Sequence, residues 1–424
     1  MIQIQPVRKP INATIEVPGS KSYTNRALLV AAMAHGTSTL TGALFSDDTR
    51  YMCDALQKLG VKVDADENLA TFDVRGNGGE IPVSGAELYI GNSGTTSRSL
   101  TAYVSLGHGK FVIDGDEPMR HGRPIADLLD ALRQIGVSAR TQFENGHLPV
   151  IIEADGLEGG RTRLDVSKSS QFLTALLLIA PYAKNGMEIE VVGKREMPYI
   201  DITLAVMEAF GAQVVNEEDY TYFRVEGGQQ YQPRVYNIEP DASNASYFFA
   251  AAALTGGRVT DQHLNWNSAQ GDVQFVRILE QMGCQVSVSE TGITLTGPHH
   301  LSGIDVDMRT ISDTAMTLAV IAPFANSKVT IRNIEHTRWQ ETDRIHAMVT
   351  ELRKLGVPVV EHQDGLEISP APITPAAIDT YEDHRIAMAF SLVGLKASGI
   401  QINNPECVSK TFPNYFQVLQ ELYS

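Results

Sequence analysis

A helix-ending phrase recurs five times along this 424-residue chain at a nearly constant spacing. In each copy an apolar or charged helical stretch runs into a glycine and then into a strand-like stretch, which is typical of a glycine C-cap. The five glycines are separated by 72 to 76 residues and are Gly60, Gly136, Gly211, Gly283 and Gly356. Such a regular period predicts one supersecondary unit that is repeated along the chain.

A second phrase keeps the same period and consists of polar residues that lead into an apolar helix. Six copies occur, at Ser20–Arg26, Asn92–Arg98, Ser169–Thr174, Asp241–Ser246, Ser312–Thr317 and Glu382–Ala387. Alternating stretches such as Phe111–Asp114 and Val329–Arg332 lie between them and predict strands. Each unit therefore carries two helices and several strands, which predicts an α/β (α+β) fold.

The repeat count also predicts the domain organisation. The sixth closing helix, from Tyr415 to Tyr423, has no capping glycine after it, and we expect the strands at Ile2 to Val17 to complete that last unit. Six units are too many for one hydrophobic core. We therefore expect a discontinuous domain of residues 1–19 and 240–424, and a second domain of residues 20–239, with three units in each.

Charge and composition narrow the classes of function. The chain has 34 Lys and Arg against 50 Asp and Glu, a net charge of −16, so its average surface repels nucleic acid and anionic membranes. Its longest apolar stretch, 172–183, is shorter than the roughly 20 residues of a membrane span. The N-terminus lacks the apolar core of a signal peptide, and the three cysteines show no CxxC spacing. No HExxH metal motif is present. These features predict a reduced, cytoplasmic protein without a metal.

Basic residues nevertheless concentrate at the predicted helix starts and in one adjoining loop. They are Lys21, Arg26, Arg98, Lys168, Arg344 and Arg385, with Arg120 and Arg123 in the loop. Helix N-termini attract anions through unpaired N–H groups and the helix dipole. We expect a cleft between the two domains that binds one or two small phosphorylated or carboxylated substrates.

Each motif also has an ordinary structural interpretation when it is taken alone. Ser169 and Asp313 suit helix N-caps, and Glu341–Arg344 suits a capping box with an internal ion pair. Lys410 suits a solvated loop. The functional interpretation depends on the motifs occurring together and in order.

Taken in order, these motifs resemble those of the enolpyruvyl transferases over essentially the whole chain. The motifs that carry the resemblance are Pro18–Ser22 with Asn25–Leu28, Gly91–Thr95, Arg123-Pro124, Pro198–Asp201, Asp313, Glu341–Arg344, Asp383–Arg385 and Ser409–Pro413. The resemblance implies two similar domains, each of three βαβαββ units around a pseudo-threefold axis. It also implies an active site in the cleft between the domains, which close on the substrate.

The resemblance further implies a reaction. The enolpyruvyl group of phosphoenolpyruvate passes to the 5-hydroxyl of shikimate 3-phosphate, and phosphate leaves through a tetrahedral intermediate. The reaction belongs to aromatic amino acid biosynthesis by the shikimate pathway and needs no cofactor or metal. A monomer is expected, and glyphosate is expected to compete with phosphoenolpyruvate, with Gly94 leaving the space that a larger residue would block.

The resemblance assigns roles to individual residues. Those expected around phosphoenolpyruvate are Lys21, Gly94, Arg123, Gln171, Arg344, Arg385 and Lys410. Those expected around shikimate 3-phosphate are Lys21, Ser22, Arg26, Ser169, Ser170, Gln171, Asp313 and Gln340. Asp313 is the candidate base at the 5-hydroxyl, Glu341 is the candidate for proton transfer at carbon, and Lys21 completes the catalytic set.

Three positions depart from the family pattern, all at the acceptor end. Glu196 stands for a serine, His336 for an asparagine and Gln340 for a lysine. A paralogue with another acceptor is therefore an alternative, as is a non-catalytic anion-binding protein of the same fold. The loop 116–124 lacks the cysteine usual in UDP-N-acetylglucosamine enolpyruvyl transferases, and the negative charge disfavours an RNA phosphate cyclase.

Overall fold

The computed structural model describes residues 1–193, 197–217 and 219–422. Glu196 therefore lies outside the described residues. The chain divides into two compact units. The central unit is Gly19–Ile238, and the flanking unit is Met1–Pro18 with Glu239–Ser424.

Helices account for the buried layers of both units. Those that the structure describes are α1 (Lys21–Met33), α2 (Asp47–Lys58), α3 (Gly94–Tyr103), α4 (Glu117–His121), α5 (Ala126–Gln134), α6 (Gln171–Ile179), α7 (Met197–Ala209), α8 (Ala242–Thr255), α9 (Phe275–Gln281), α10 (Ala315–Ile321), α11 (Arg344–Lys354), α12 (His384–Gly394) and α13 (Tyr415–Glu421). None of them is long and apolar enough to cross a membrane.

Strands among the described residues are short. They are β1 (Ile2–Gln3), β2 (Asn12–Ile15), β3 (His35–Thr41), β4 (Lys62–Asp66), β5 (Thr71–Asn77), β6 (Gly85–Tyr89), β7 (His108–Asp114), β8 (Ser138–Thr141), β9 (Val150–Asp155), β10 (Gly160–Asp165), β11 (Met187–Val192), β12 (Val215–Asn216), β13 (Tyr222–Val225), β14 (Val235–Asn237), β15 (Arg258–Gln262), β16 (Gln285–Ser289), β17 (Gly292–Thr296), β18 (Asp305–Asp307), β19 (Val329–Arg332), β20 (Val359–His362), β21 (Gly365–Ile368), β22 (Ala377–Ile378) and β23 (Gln401–Ile402).

In the central unit the described strands form three four-stranded sheets, one for each repeat. Their orders are β14-β3-β5-β4, β6-β7-β9-β8 and β10-β11-β13-β12. Each sheet begins with a parallel pair and continues with antiparallel pairs. Because parallel strands need a crossover, a buried helix connects the parallel pair in the second and third sheets, α3 and α6 respectively.

The described strands of the flanking unit form two four-stranded sheets, β16-β17-β15-β2 and β18-β19-β21-β20, and the three-stranded sheet β1-β23-β22. The predicted placement of Ile2 to Val17 in the last repeat is correct for β1, which pairs with β23. It is wrong for β2, which pairs in parallel with β15 of the fourth repeat. The strands that precede α1 and α8 along the chain are thus exchanged. Strand β2, which precedes α1, pairs with β15, the strand that follows α8. Strand β14, which precedes α8, pairs with β3, the strand that follows α1. Each unit thereby supplies its first sheet with a parallel edge strand.

The two phrases of the repeat correspond to two kinds of helix. Helices α1, α3, α6, α8, α10 and α12, which begin at the polar phrases, are buried along nearly their whole length. Helices such as α2, α5 and α11 bury one face only and precede a capping glycine. All five capping glycines have positive φ, between 78° and 106°, which only glycine adopts without strain. The helix starts and ends predicted from the repeat are confirmed.

Candidate active site

Three buried helices of the central unit begin close together. Lys21 opens α1, and its ammonium lies 3.7 Å from the Asp48 carboxylate at the start of α2, with both side chains largely buried. The hydroxyl of Thr96, in the first turn of α3, contacts the Asp48 carbonyl oxygen at 3.3 Å. Asp48 therefore connects the starts of α1 and α3, a role that the sequence interpretation missed.

Gly94 opens α3 beneath two guanidinium groups. A Cβ atom at this position would lie 2.2 Å from Nη2 of Arg123 and 2.7 Å from Nη1 of Arg98. Arg123 is 5% exposed and donates to the carbonyl and side-chain oxygens of Asn92, both at 3.3 Å. Arg98 donates to the carbonyl oxygens of Gly94 and Pro124. Two positive charges thus flank a helix start that is itself suited to an anion.

Arg26 is buried one turn into α1 among neutral oxygens. Its guanidinium donates to the carbonyl oxygens of Ser22 and Tyr199 and to the hydroxyls of Thr203 and Thr174. Burial lowers the pKa of Arg26 to about 10. The protein therefore holds this cation at an electrostatic cost that a bound anion would offset.

The start of α6 contributes amide and hydroxyl groups. Gln171 opens this helix, and its Nε2 donates to Thr95 Oγ1 at 3.4 Å. Ser169 Oγ accepts from the Gln171 backbone N–H at 3.2 Å, and Ser170 occupies the N-cap position. The neighbouring Lys168, which the sequence grouped with the basic concentration, instead forms a partly exposed ion pair with Asp127 at 3.0 Å.

In the flanking unit, Asp313 lies between two arginines. Its Oδ1 accepts from Arg344 at 3.1 Å, and its Oδ2 accepts from Arg385 at 2.7 Å. Arg344 opens α11, and Arg385 is the second residue of α12. Asp313 sits in a 3-10 turn before α10, so the starts of three helices meet at one carboxylate.

The Arg344 guanidinium, which is 2% exposed, joins the remaining predicted residues of this unit. It donates to Glu341 at 2.9 Å and to Asp383 at 2.8 Å, and it also bonds the side-chain oxygen of Gln340. Lys410 lies 3.4 Å from the other oxygen of Glu341. Asp313, Gln340, Glu341, Arg344, Arg385 and Lys410 therefore form one network.

Asp383 belongs to this network through Arg344, and two further buried residues, His336 and Asp272, interact electrostatically with Asp313. Asp383 accepts a hydrogen bond from the Arg385 N–H, caps α12 and is fully buried. Its place in the motif Asp383–Arg385 could have identified it from the sequence. His336 bonds Ser312 at 2.8 Å, and burial lowers its pKa to about 4. Asp272 bonds Ser243, and burial and then the Asp313 charge raise its pKa. No pattern in the sequence pointed to Asp272. Among the residues that the structure describes, no group of three His, Cys, Asp or Glu side chains is arranged to hold a metal ion.

The chain is similar to known proteins over nearly its whole length. The family model described as EPSP synthase (3-phosphoshikimate 1-carboxyvinyltransferase) matches residues 6–419. The 3-phosphoshikimate 1-carboxyvinyltransferase of Nostoc punctiforme is 50% identical, over 98% of this chain and 97% of that protein. The chloroplastic enzyme of the same name from Arabidopsis thaliana is 46% identical, over 99% of this chain and 84% of that protein.

A solved structure shows the same architecture. The EPSP synthase of Acinetobacter baumannii superposes with a TM-score of 0.85 at 27% identity, covering 99% of this chain and 98% of that one. The predicted α/β class with its repeated units is thereby confirmed.

Proposed function

The chain belongs to the EPSP synthase family, and on that premise we propose how its residues carry out the family's reaction. It is a transferase that moves the enolpyruvyl group of phosphoenolpyruvate to shikimate 3-phosphate in aromatic amino acid biosynthesis. The roles of individual residues rest on the network around Arg344 in the flanking unit and on the basic residues at the helix starts of the central unit.

The flanking unit supplies the proton transfers. Asp313 accepts the proton of the 5-hydroxyl as its oxygen attacks C2 of phosphoenolpyruvate, and Glu341 donates a proton to the methylene carbon. The tetrahedral intermediate then loses phosphate, which takes the proton held by Asp313, while the Glu341 carboxylate takes back a proton from the new methyl group, so the double bond is restored. The observation that carries this proposal is the Arg344 guanidinium, which holds both carboxylates at 3.1 and 2.9 Å in one network.

Basic side chains neutralise phosphoenolpyruvate. The guanidinium forks of Arg123, Arg344 and Arg385 suit its carboxylate and phosphate, whereas Lys21 and Lys410 act as point charges. The backbone at Gly94 and the amide of Gln171 complete this set. Because these groups are already buried and held by hydrogen bonds, they cost little reorganisation as charge develops.

The acceptor binds mainly to the central unit. Arg26 and Ser22 hold the shikimate carboxylate, and Ser169 and Ser170 hold the 3-phosphate. Arg26 carries its charge among neutral oxygens and so retains the capacity to pair with a carboxylate. Gln171, Lys21, Asp313 and Gln340 contact the rest of the acceptor.

The test is phosphate release from phosphoenolpyruvate with shikimate 3-phosphate, and separately with unphosphorylated shikimate, in the presence of a chelator. We expect rapid release with shikimate 3-phosphate alone. Asp313→Asn and Glu341→Gln should each lower turnover by roughly two or more orders of magnitude in a folded protein. Near-normal turnover of either variant would remove that residue from its role.

We also propose that the protein acts as a cytoplasmic monomer without a cofactor, and that domains 1–19 with 240–424 and 20–239 correspond to its two units. Family membership supports the cofactor-free chemistry. Light scattering at several protein concentrations would test the monomer, and cell fractionation would test the cytoplasmic location.

A further inference from the structure

The turn that leads into α12 has an unusual backbone. Tyr381 and Glu382 both lie in the left-handed region, with φ of 54° and 57°. Two consecutive non-glycine residues in this region are costly, and such conformations persist only where surrounding contacts hold them. Asp383 and Arg385, two members of the network around Asp313, follow directly.

The corresponding turn of the second repeat solves the same problem differently. Gly91 precedes α3 by three residues with a φ of 52°, and Tyr381 precedes α12 by three residues. Glycine adopts this conformation without strain. A tyrosine at the equivalent position indicates that its side chain provides something that glycine cannot.

That side chain binds a fully buried carboxylate. The Tyr381 hydroxyl donates to Glu351 Oε1 at 2.7 Å, and Glu351 is 0% exposed. The other oxygen, Oε2, accepts from the backbone N–H of Asp379 at 3.1 Å. Glu351 therefore holds the turn on both sides of Thr380. Burial and the bond to Glu351 raise the pKa of Tyr381 to about 12, so the phenol remains a hydrogen-bond donor at neutral pH.

A lysine balances the charge of this arrangement. Lys354, one turn after Glu351 on α11, lies 2.9 Å from Glu351 and 2.6 Å from Asp379. Asp379 also accepts from the Asn403 side chain at 2.8 Å. A buried carboxylate with three partners of this kind is satisfied and rigid.

The same helix holds the turn at a second point. Arg344 and Glu351 are seven residues apart on α11, two turns along one face. Arg344 bonds Asp383 at 2.8 Å, and Asp383 caps the Arg385 N–H at 2.9 Å. The position of the turn relative to α11 therefore sets how both guanidiniums are presented.

We propose that Glu351 and Tyr381 are positioning residues of the transfer reaction. They clamp the left-handed turn 379–383 to α11 and so fix the guanidiniums of Arg344 and Arg385 for phosphoenolpyruvate. Neither residue touches a substrate. The inference rests on the proposed function of those two arginines.

The test compares two substitutions that each remove one buried or partly buried phenol hydroxyl. Tyr381→Phe removes the hydroxyl contact of the clamp and leaves the bond from the Asp379 N–H to Glu351. We expect it to raise the KM for phosphoenolpyruvate about five- to tenfold. The KM for shikimate 3-phosphate should stay within about twofold. The control is Tyr415→Phe, which removes a hydroxyl that bonds Ser391 and Met388 in the middle of the same helix, α12. It should lower stability comparably and leave both KM values unchanged.

A second readout reports on the turn itself. Hydrogen exchange of the Asp383 N–H, which bonds the Thr380 carbonyl at 2.8 Å, should be faster in Tyr381→Phe than in Tyr415→Phe. Among variants without the hydroxyl, Tyr381→Gly should be less impaired than Tyr381→Ala, because glycine tolerates the left-handed conformation. Faster exchange with an unchanged KM would overturn the inference, as would a raised KM with unchanged exchange.

Arg385→Lys separates this inference from the function on which it rests. If Arg385→Lys leaves the KM for phosphoenolpyruvate unchanged, the proposed role of Arg385 is wrong. If it raises that KM while Tyr381→Phe does not, only the positioning role is wrong. Glu351→Gln keeps an acceptor for the Tyr381 hydroxyl but loses one carboxylate oxygen. Its KM for phosphoenolpyruvate should therefore lie between that of Tyr381→Phe and that of the unmodified protein.

Discussion

The central and flanking units carry the same arrangement of three buried helices, but the buried arginines at these helices have different partners in the two units. In the flanking unit the buried arginines face carboxylates, since Arg344 alone bonds Asp313, Glu341 and Asp383. In the central unit Arg26 donates to hydroxyls and carbonyl oxygens. The same fold therefore holds an arginine neutralised by carboxylates in the flanking unit and, in the central unit, an arginine whose positive charge is not neutralised by the oxygens it bonds.

This difference separates two uses of a buried charge. A guanidinium paired with carboxylates fixes the geometry of those carboxylates, which suits groups that move protons. A guanidinium among neutral oxygens creates a positive electrostatic potential that favours binding of an anionic ligand. The comparison makes opposite predictions for similar substitutions in the two units.

The largest effect is expected from Arg344→Met. Removing this cation leaves three carboxylates close together without their shared partner, so the free energy of unfolding should fall by about 3–5 kcal/mol and activity should be lost. The matched variant is Arg26→Met, where the lost hydrogen bonds are offset by the relieved desolvation. Its stability should change by about 1 kcal/mol or less. Urea denaturation of both checks this, and equal losses would break the comparison.

The second prediction concerns pH and the flanking unit. The pKa of His336 is about 4 in the folded protein against 6.5 for the ordinary group. The unfolded chain therefore binds more protons between these values, and stability is lost as the pH falls from about 6.5 to about 4. At pH 5 the loss from this residue should be about 2 kcal/mol. Urea denaturation of His336→Asn should show that loss abolished; an unchanged pH dependence would contradict the assignment.

The third prediction concerns Gly94→Ala in the central unit. The added methyl group would displace the guanidiniums of Arg123 and Arg98, whose flexible ends can move without disturbing the helix. We expect the KM for phosphoenolpyruvate to rise about tenfold, equivalent to about 1.4 kcal/mol, and glyphosate inhibition to weaken in parallel. Steady-state kinetics with a melting curve measures this. A lower melting temperature with an unchanged KM would show that the glycine serves the fold alone.

The smallest effect is expected from Lys168→Ala. This lysine pairs with Asp127 at the surface, where such pairs contribute about 0–1 kcal/mol. Both KM values should therefore change by less than about twofold. A larger change in the KM for shikimate 3-phosphate would extend the cationic region of the central unit beyond Arg26.

Local patterns in the sequence predicted much of this architecture. The capping glycines and polar helix starts were predictable because backbone conformation and capping depend on residues adjacent in the chain. The motifs likewise pointed to Asp313, Glu341 and Arg344, which the structure brings into contact. Long-range contacts were not predictable in this way: Lys168 pairs with a residue 41 positions away. Nothing adjacent to Asp272 indicates that it would be buried beside Ser243.

The exchange of β2 and β14 determines the order in which the strands can pair while the protein is being synthesised. During synthesis β2 leaves the ribosome early, but its partner β15 begins only at Arg258, more than 240 residues later. At about 5–20 residues per second, this strand waits on the order of 10 to 50 s without its partner. The central unit has all of its strands once Asn237 has emerged, so it can mature while the flanking unit is still being translated. Strand β1 waits even longer, because its partner β23 begins only at Gln401. Among the described strands, residues 2–3 and 12–15 therefore stay unpaired longest and most need protection by chaperones.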